Sequence, residues 1–458
     1  MSQENPNKFK AVFKEITAPF LSLFKTSRAL LGINISYFLE GLIYFGMLGL
    51  LAMYFNEYVG LNDIQADKMV GILTAGITLS MLILGAAVDL VGVRKSLLVS
   101  LVLMLVGRIF LSGGPGFTGN EGMWSNTHLV AMFGIFWIVL GYGIYQPASY
   151  AAVKRFTNKD TSAMGYAMLY ALMNLGAFLP GLISPPIRKS FGITGVFWVY
   201  TVLTVVGMAA VAILLTKKAI AQAEKENGNF EEVSETEEKK PFKEQVLFYL
   251  KNFPIRDARF MFFIFALIPV QTLFAHNWLT LPQYCERAFS GVVQENFEFF
   301  VNFNPLLIFV LTPLVAAYTA KNDTYKMMIY GTLIMAASPF ILVSGPHIGT
   351  LFAFLIVMTI GEAMWQPRFL QWVAEIAPKG MTGIYMGLGQ FPWFLTKVVT
   401  SLYAGWFLMN YCPDDTPISG LNTEEMWLIY AFIAMISPVA LIMARGWMVK
   451  GFKVKDEG

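Results

Sequence analysis

The sequence predicts an all-α integral membrane protein: twelve transmembrane helices in two six-helix bundles, with both termini cytoplasmic. Three observations predict it. The composition is 56% hydrophobic and only 14% charged, twelve apolar runs approach the length a bilayer requires, and one long charged segment parts those runs six and six. A hydrocarbon core of ~30 Å takes about 20 residues of helix. Helices follow because lipid cannot satisfy open backbone groups, and the runs lack the two-residue alternation of barrel strands.

The runs cover 29–55, 68–90, 96–113, 128–153, 163–185 and 193–216, then 257–283, 300–320, 325–344, 349–376, 382–408 and 426–444. The chain therefore divides into a cytoplasmic amphipathic N-terminus (1–28), a first bundle (29–216), a cytoplasmic charged linker (217–256), a second bundle (257–444) and a cytoplasmic tail (445–458). The linker carries Glu231, Glu232, Glu235, Glu237 and Glu238, too polar a stretch to span. Orientation follows from the retention of Lys and Arg on the cytoplasmic side. With the N-terminus inside, four of the 33 basic residues (Lys68, Arg188, Lys189 and Arg287) fall on outer segments. Arg108, Arg368 and Lys397 fall within spans, and the rest are cytoplasmic. The basic stretch from Lys8 to Arg28 runs into a full spanning segment, so the first helix reads as an uncleaved signal. The net charge of +3 is accounted for by this asymmetry, and no nucleic-acid partner is expected. A multi-pass, monomeric protein of the cell membrane is expected, with the compact chain and short outer loops suiting a bacterial inner membrane. Cys285 and Cys412 both fall just outside the membrane, as a disulfide or as two separate thiols.

The halves are related by repetition. GYGIYQP at 141–147 returns as GEAMWQP at 361–367, an offset of 220 residues, in the fourth span of each half. The same offset aligns Ser162 with Thr382 and Ala167 with Gly387. Two related bundles around a midplane site form a plan for moving a solute across a membrane.

Between the second and third spans stands Gly85-Ala-Ala-Val-Asp89-Leu-Val-Gly92-Val-Arg94-Lys95. Gly85 permits close helix contact, Asp89 suits a helix N-terminus, and Arg94 can pair with a carboxylate. The stretch resembles the GxxxDxxGxRK loop motif of the major facilitator superfamily at every fixed position. That resemblance implies the major facilitator fold and assigns Gly85, Asp89, Gly92, Arg94 and Lys95 to a cytoplasmic latch.

Other segments are similar to the proton-dependent oligopeptide transporter family. Glu40-Gly-Leu-Ile-Tyr44-Phe-Gly46-Met47 resembles ExxERFxYYGM, Gly141-Tyr-Gly143 with Pro147 resembles GxGxxKPN, and Tyr170-Ala-Leu-Met-Asn174-Leu-Gly176 resembles FYxxxNxG. In the second half, Asn302-Phe-Asn304-Pro305-Leu-Leu-Ile resembles SxNPLxI, and Gly361-Glu362, Pro367, Ala377-Pro378-Lys379 and Met386-Gly387 resemble GExxxSP…APK…MG. The departures are as informative. The family's first glutamate falls at Tyr37, its arginines at Gly41 and Leu48, and its helix-4 lysine at Gln146. The resemblance thus carries over the polar, amine-binding side as Asn174, Asn304 and Glu362, and loses three cations.

An ionisable residue deep in a membrane helix costs roughly 2.5 to 3.5 kcal/mol on insertion scales, so each requires a partner or a role. Glu40, Arg108, Glu362 and Lys397 lie near mid-depth, one acid and one base per half. They read either as an internal ion pair in each bundle or as a proton-exchanging site. On the second reading Glu40 and Arg108 couple protons. Substrate would meet Tyr44, Gln146, Asn174, His276, Asn277, Asn304, Glu362 and Lys397, with Tyr145, Trp365 and Trp393 as further aromatic candidates for lining the path. No Walker motif, HExxH pair or cysteine cluster is present, so no cofactor, metal site or catalytic residue is expected.

The function this implies is alternating-access secondary transport, proton-coupled symport importing a small polar solute such as a peptide or an amine-bearing compound. The partners are that solute, protons and the lipid bilayer. The alternative is a proton-coupled antiporter exporting an amphipathic or cationic compound; a non-transporting receptor or membrane enzyme is more remote.

Overall fold

The computed structural model describes residues 27–84, 91–157, 162–226, 256–319, 322–376, 389 and 391–449. Among these the secondary structure is helical, with no strand. Among the described residues eight helices are long and apolar enough to cross a membrane, which makes this a multi-pass membrane protein.

The first half contains α1 (Arg28–Glu57), α2 (Asp63–Leu84), α3 (Val93–Thr118), α4 (Asn126–Phe156), α5 (Ser162–Phe178) and α6 (Pro180–Leu214). The stretch from Met168 to Leu214 is one apolar tract that turns at Gly192, whose φ of 68° a side chain adopts only under strain. That residue separates the fifth and sixth predicted runs. The short α7 (Lys217–Glu226) follows. The seventh run is in pieces, α8 (Ala258–Ala266), α9 (Ile268–Leu279) and α10 (Leu281–Ala288); α11 (Val292–Glu295) and α12 (Phe297–Val301) then lead into α13 (Phe303–Thr319). The second half closes with α14 (Thr324–Ala337) and its 3-10 extension Ser338–Ser344, α15 (Ile348–Ile376), α16 (Phe391–Tyr411) and α17 (Thr423–Val449).

By backbone proximity the chain forms two units. The first joins the first half to Ala275–Pro313 and Lys397–Thr423; the second holds Leu314–Thr396, the described residues before Ala275 from 256 on, and those from Glu424. The unit boundary therefore runs through α9, α13 and α16 rather than through the linker alone. The ion pairs and glycine contacts described below are what tie those segments to the first half.

Within each unit, glycine sets the closest helix contact. A Cβ on Gly107 would stand 2.4 Å from the Gly134 carbonyl oxygen, and one on Gly134 would stand 2.7 Å from that of Gly107, so α3 and α4 meet backbone to backbone. The repeated heptamers open on the same device. Gly141 lies against the Ser100 carbonyl of α3 (2.8 Å for a Cβ), and Gly361, its counterpart 220 residues on, lies against the Gly331 carbonyl and the Met335 amide of α14 (2.7 and 2.4 Å). Gly361→Val should therefore drive α14 and α15 apart and sharply lower the yield of monodisperse protein. Gly446→Ala on α17 meets nothing within 4 Å and should raise the thermal midpoint slightly, since alanine is preferred to glycine in a helix by roughly 0.5–1 kcal/mol.

Of the loop motif, Gly85 and Asp89 lie outside the described residues. Gly92 takes φ 86° with nothing within 4 Å of its would-be Cβ, so backbone conformation rather than space requires glycine there. Arg94 donates to the Ala212 carbonyl (3.4 Å) and Arg28 to that of Ile213 (3.3 Å). Instead of a carboxylate, Arg94 thus meets the unsatisfied, negative C-terminal end of α6. Lys95 is exposed.

Candidate functional site

The first unit holds a closed polar network in its interior. Glu40 on α1 and Arg108 on α3 are 1% and 0% exposed and form a two-pronged ion pair, Nη1 to Oε1 at 2.9 Å and Nη2 to Oε2 at 2.6 Å. Two hydroxyls complete it. Thr204 on α6 accepts from Nη1 (2.5 Å) and donates to the Tyr200 carbonyl (2.9 Å). Tyr142 on α4 accepts from Nη2 (3.0 Å) and donates to Glu40 Oε2 (2.9 Å). Four helices are therefore joined through one ion pair, and the planar guanidinium fork matches the carboxylate's two oxygens. Only Arg108 Nε is left without a partner.

A small cavity opens beside this network, lined by Tyr44, Met47, Leu73, Arg108 and Tyr142 among others. Toward one side the polar character continues as hydroxyls: Ser36 meets Tyr145 at 2.8 Å, and Tyr37 stacks on Tyr145 at 6.2 Å between ring centres. Tyr37 occupies the position of the family's first glutamate, so an aromatic stack fills the place of a charge. Gln146, in the place of the family lysine, is half-buried.

Other predicted residues are placed as follows. Lys397 on α16 donates to Thr78 of α2 at 3.2 Å, a partner from the first half rather than an acid of its own. His276 is held at both ring nitrogens, by Thr280 (2.8 Å) and Tyr403 (3.1 Å). Asn277 on α9 is half-buried. Asn174 donates to the Tyr170 carbonyl of its own helix, and Asn304 is buried at the start of α13. In the second unit, Glu362 is buried on α15, one turn before Trp365, whose indole donates to Met335 Sδ at 3.2 Å. Phe274 there packs on Trp393 with ring centres 5.0 Å apart.

Sequence reasoning missed a cluster at the end of the first unit where α2 begins. Asp63, which opens α2, takes both prongs of Arg287 from α10 at 2.6 and 2.9 Å, and also accepts from Asn56 (3.1 Å) and Gln283 (3.2 Å). Arg188 pairs with Glu298 at 2.5 Å and Lys189 with Glu295 at 3.0 Å. The signal was present in the charge count: Arg188, Lys189 and Arg287 are three of the four basic residues on the unexpected side, and each meets an acid. Cys285 and Cys412 nearby are both buried thiols, without a disulfide.

Next to Arg287, burial pushes the Glu286 carboxyl up from 4.5 to about 7, with Glu57 adding to the rise. A raised carboxyl binds its proton more tightly in the folded arrangement. Its contribution to stability is therefore full below about pH 4.5 and lost as the pH rises through 7. Glu286→Gln should flatten that part of the profile of thermal midpoint against pH.

The profile of the Major Facilitator Superfamily matches residues 33–401. This chain belongs to that superfamily. It is also similar to dipeptide and tripeptide permease A of Erwinia pyrifoliae, 22% identical over 446 residues and covering 86% of this chain and 87% of the relative. Among solved structures, the fold matches peptide transporter POT in complex with sulfate, with a TM-score of 0.72, 17% identity and coverage of 93% and 96% of the two chains. It likewise matches a POT family transporter in complex with 5-aminolevulinic acid, with a TM-score of 0.69, 16% identity and coverage of 93% and 97%. The chain is thus a transporter, resembling a divergent oligopeptide transporter and not an enzyme.

Proposed function

We propose that this transporter is a proton-coupled symporter importing a small polar solute, a peptide or an amine-bearing compound, by alternating access. In this reading twelve spans form two six-helix bundles, 29–216 and 257–444, about the 217–256 linker, with cytoplasmic termini in a bacterial inner membrane. The observation that carries the coupling is the Glu40–Arg108–Tyr142–Thr204 network. A proton reaching Glu40 cancels its charge and leaves Arg108 without an ionic partner, so protonation and the packing of α1, α3, α4 and α6 are linked. Tyr44, Gln146, Asn174, His276, Asn277, Asn304, Glu362 and Lys397 are the substrate-contacting candidates, with Glu362 facing an amine and Lys397 a carboxylate. Gly85, Asp89, Gly92, Arg94 and Lys95 serve the cytoplasmic latch.

One observation favours the antiporter reading as well. Arg108 spends both terminal nitrogens on the network, so it offers a substrate carboxylate nothing, and a cationic cargo would suit such a site. Proteoliposomes under an inward proton gradient, screened with dipeptides, amino acids and amines, separate the two. The symport reading expects gradient-driven accumulation, and expects Glu40→Gln to lose accumulation while keeping exchange of labelled for unlabelled substrate. Undiminished accumulation in that variant removes Glu40 from the coupling role.

A further inference from the structure

Asp67 sits one turn inside Asp63 on α2 and is 0% exposed. Both of its carboxyl oxygens are buried without a hydrogen-bond partner. The row Asp63, Asp67, Gly71 and Thr78 follows one face of the helix at near-i,i+4 spacing, and α16 lies along that face. A Cβ on Gly405 would meet the Asp63 backbone at 2.4 Å, one on Gly71 would meet Ser401 Oγ at 2.2 Å, and Lys397 reaches Thr78. Asp67 is thus enclosed between two tight helix contacts.

The charged groups around it are accounted for. Asp63 and Arg287 are bound to each other, and Arg287 also reaches the Cys412 carbonyl (3.1 Å) and Asp414 (3.7 Å). Glu286 neighbours Arg287 along α10. From α4, His128 meets Met69 Sδ at 3.4 Å; from α9, His276 is held by Thr280 and Tyr403. Lys397 on α16 lies three turns inward, ~16 Å along a helix rising 1.5 Å per residue. None of these neutralises Asp67. Arg287 acts on Asp67 only through space while bound to Asp63, so an ionised carboxylate there, sealed from water and without a donor, is costlier than the neutral acid.

We infer that Asp67 is a proton-binding site of the outer-closed arrangement, neutral while Asp63 holds Arg287 and ionised once that pair parts. Two carboxyls one turn apart share a single arginine, so only one of them carries charge at a time. The proton comes from outside water as α10 and α16 close on α2 and returns there on opening. Closure and outside proton concentration are therefore linked, and acid favours the closed form.

The test needs no substrate, so its outcome is independent of the symport reading. Full-length protein in nanodiscs carries Cys285→Ala, Cys412→Ala and Glu286→Gln, with spin labels at Asn62→Cys and Val292→Cys, both exposed positions. Raising the pH from about 5 to about 9 should lengthen the label-to-label distance in a single-proton transition. Asp67→Asn and Asp67→Leu should each hold the short distance across the range. Infrared spectra of the closed form should contain a protonated-carboxyl carbonyl band that Asp67→Asn removes. Either variant keeping the parent's pH response, or a band unchanged by the substitution, overturns the assignment. So does failure of both neutral variants to fold, because a charge would then be required at that position.

Discussion

Arg108→Met is expected to cost the folded first unit about 3–5 kcal/mol, the penalty for stranding one member of a buried ion pair. The substitution removes the guanidinium that meets both oxygens of Glu40, and leaves Tyr142 as the carboxylate's one remaining donor in the network. Glu40→Gln is milder, because Arg108 keeps Tyr142 and Thr204 and the amide oxygen still accepts. The double variant Glu40→Gln, Arg108→Met should recover most of the lost midpoint, since two neutral side chains of similar volume replace the pair. Thermal unfolding of the three variants in detergent checks the order: double near parent, Glu40→Gln intermediate, Arg108→Met lowest. A tolerated Arg108→Met would mean that Glu40 is already neutral in this arrangement.

Arg287→Met should release the end of the first unit where α2 begins. Asp63 and Arg287 are both nearly buried, at 8% and 7% side-chain exposure, so their separation carries the same class of penalty, about 3 kcal/mol. The reporters are native. Cys285 and Cys412 are buried beside the pair, and burial pushes the Cys412 thiol up to about 12 against the opposing pull of Arg287. Both thiols should react slowly with a water-soluble thiol reagent in the detergent-solubilised parent. In Arg287→Met the rate should rise on the order of 100-fold, the change in open fraction that ~3 kcal/mol supplies. The reciprocal variant Asp63→Arg, Arg287→Asp should bring the rate part of the way back. Labelling unchanged by Arg287→Met would mean that the glycine contacts of α16 alone keep this end closed.

What the sequence made legible followed from how conspicuous each residue type is in a membrane. Glu40 and Arg108 stood out because a charge at mid-depth needs a partner, and each is the other's. Thr204 could not be picked out, since a threonine in an apolar helix more often satisfies its hydroxyl on its own backbone, as Thr201 does with the Phe197 carbonyl. Tyr142 was visible only as the counterpart of Glu362 in the repeat. Lys397 shows where spacing fails: one acid and one base per half suggested symmetry, but long-range packing gave the ammonium a threonine from α2. Arg188, Lys189 and Arg287 were counted for orientation and not asked what held them, although a cation on the disfavoured side invites that question. Gly192 falls between the fifth and sixth runs, and the breaks within the seventh run coincide with Pro269 and Pro282, each the second residue of its helix.

The backbone contacts of Gly107 with Gly134, and of Gly361 with Gly331, have a mechanical consequence. Helices that touch through their main chains have no side chains between them to slide or swap rotamers, so α3 with α4, and α14 with α15, each behave as one stiff beam. Each beam also carries one of the twin heptamers, so the two copies of the duplicated segment ride on the least deformable parts of their units. Elastic compliance is left to contacts built from side chains, such as the stretch of the α2–α16 seam where Lys397 reaches Thr78, away from the backbone contact of Gly405 with Asp63.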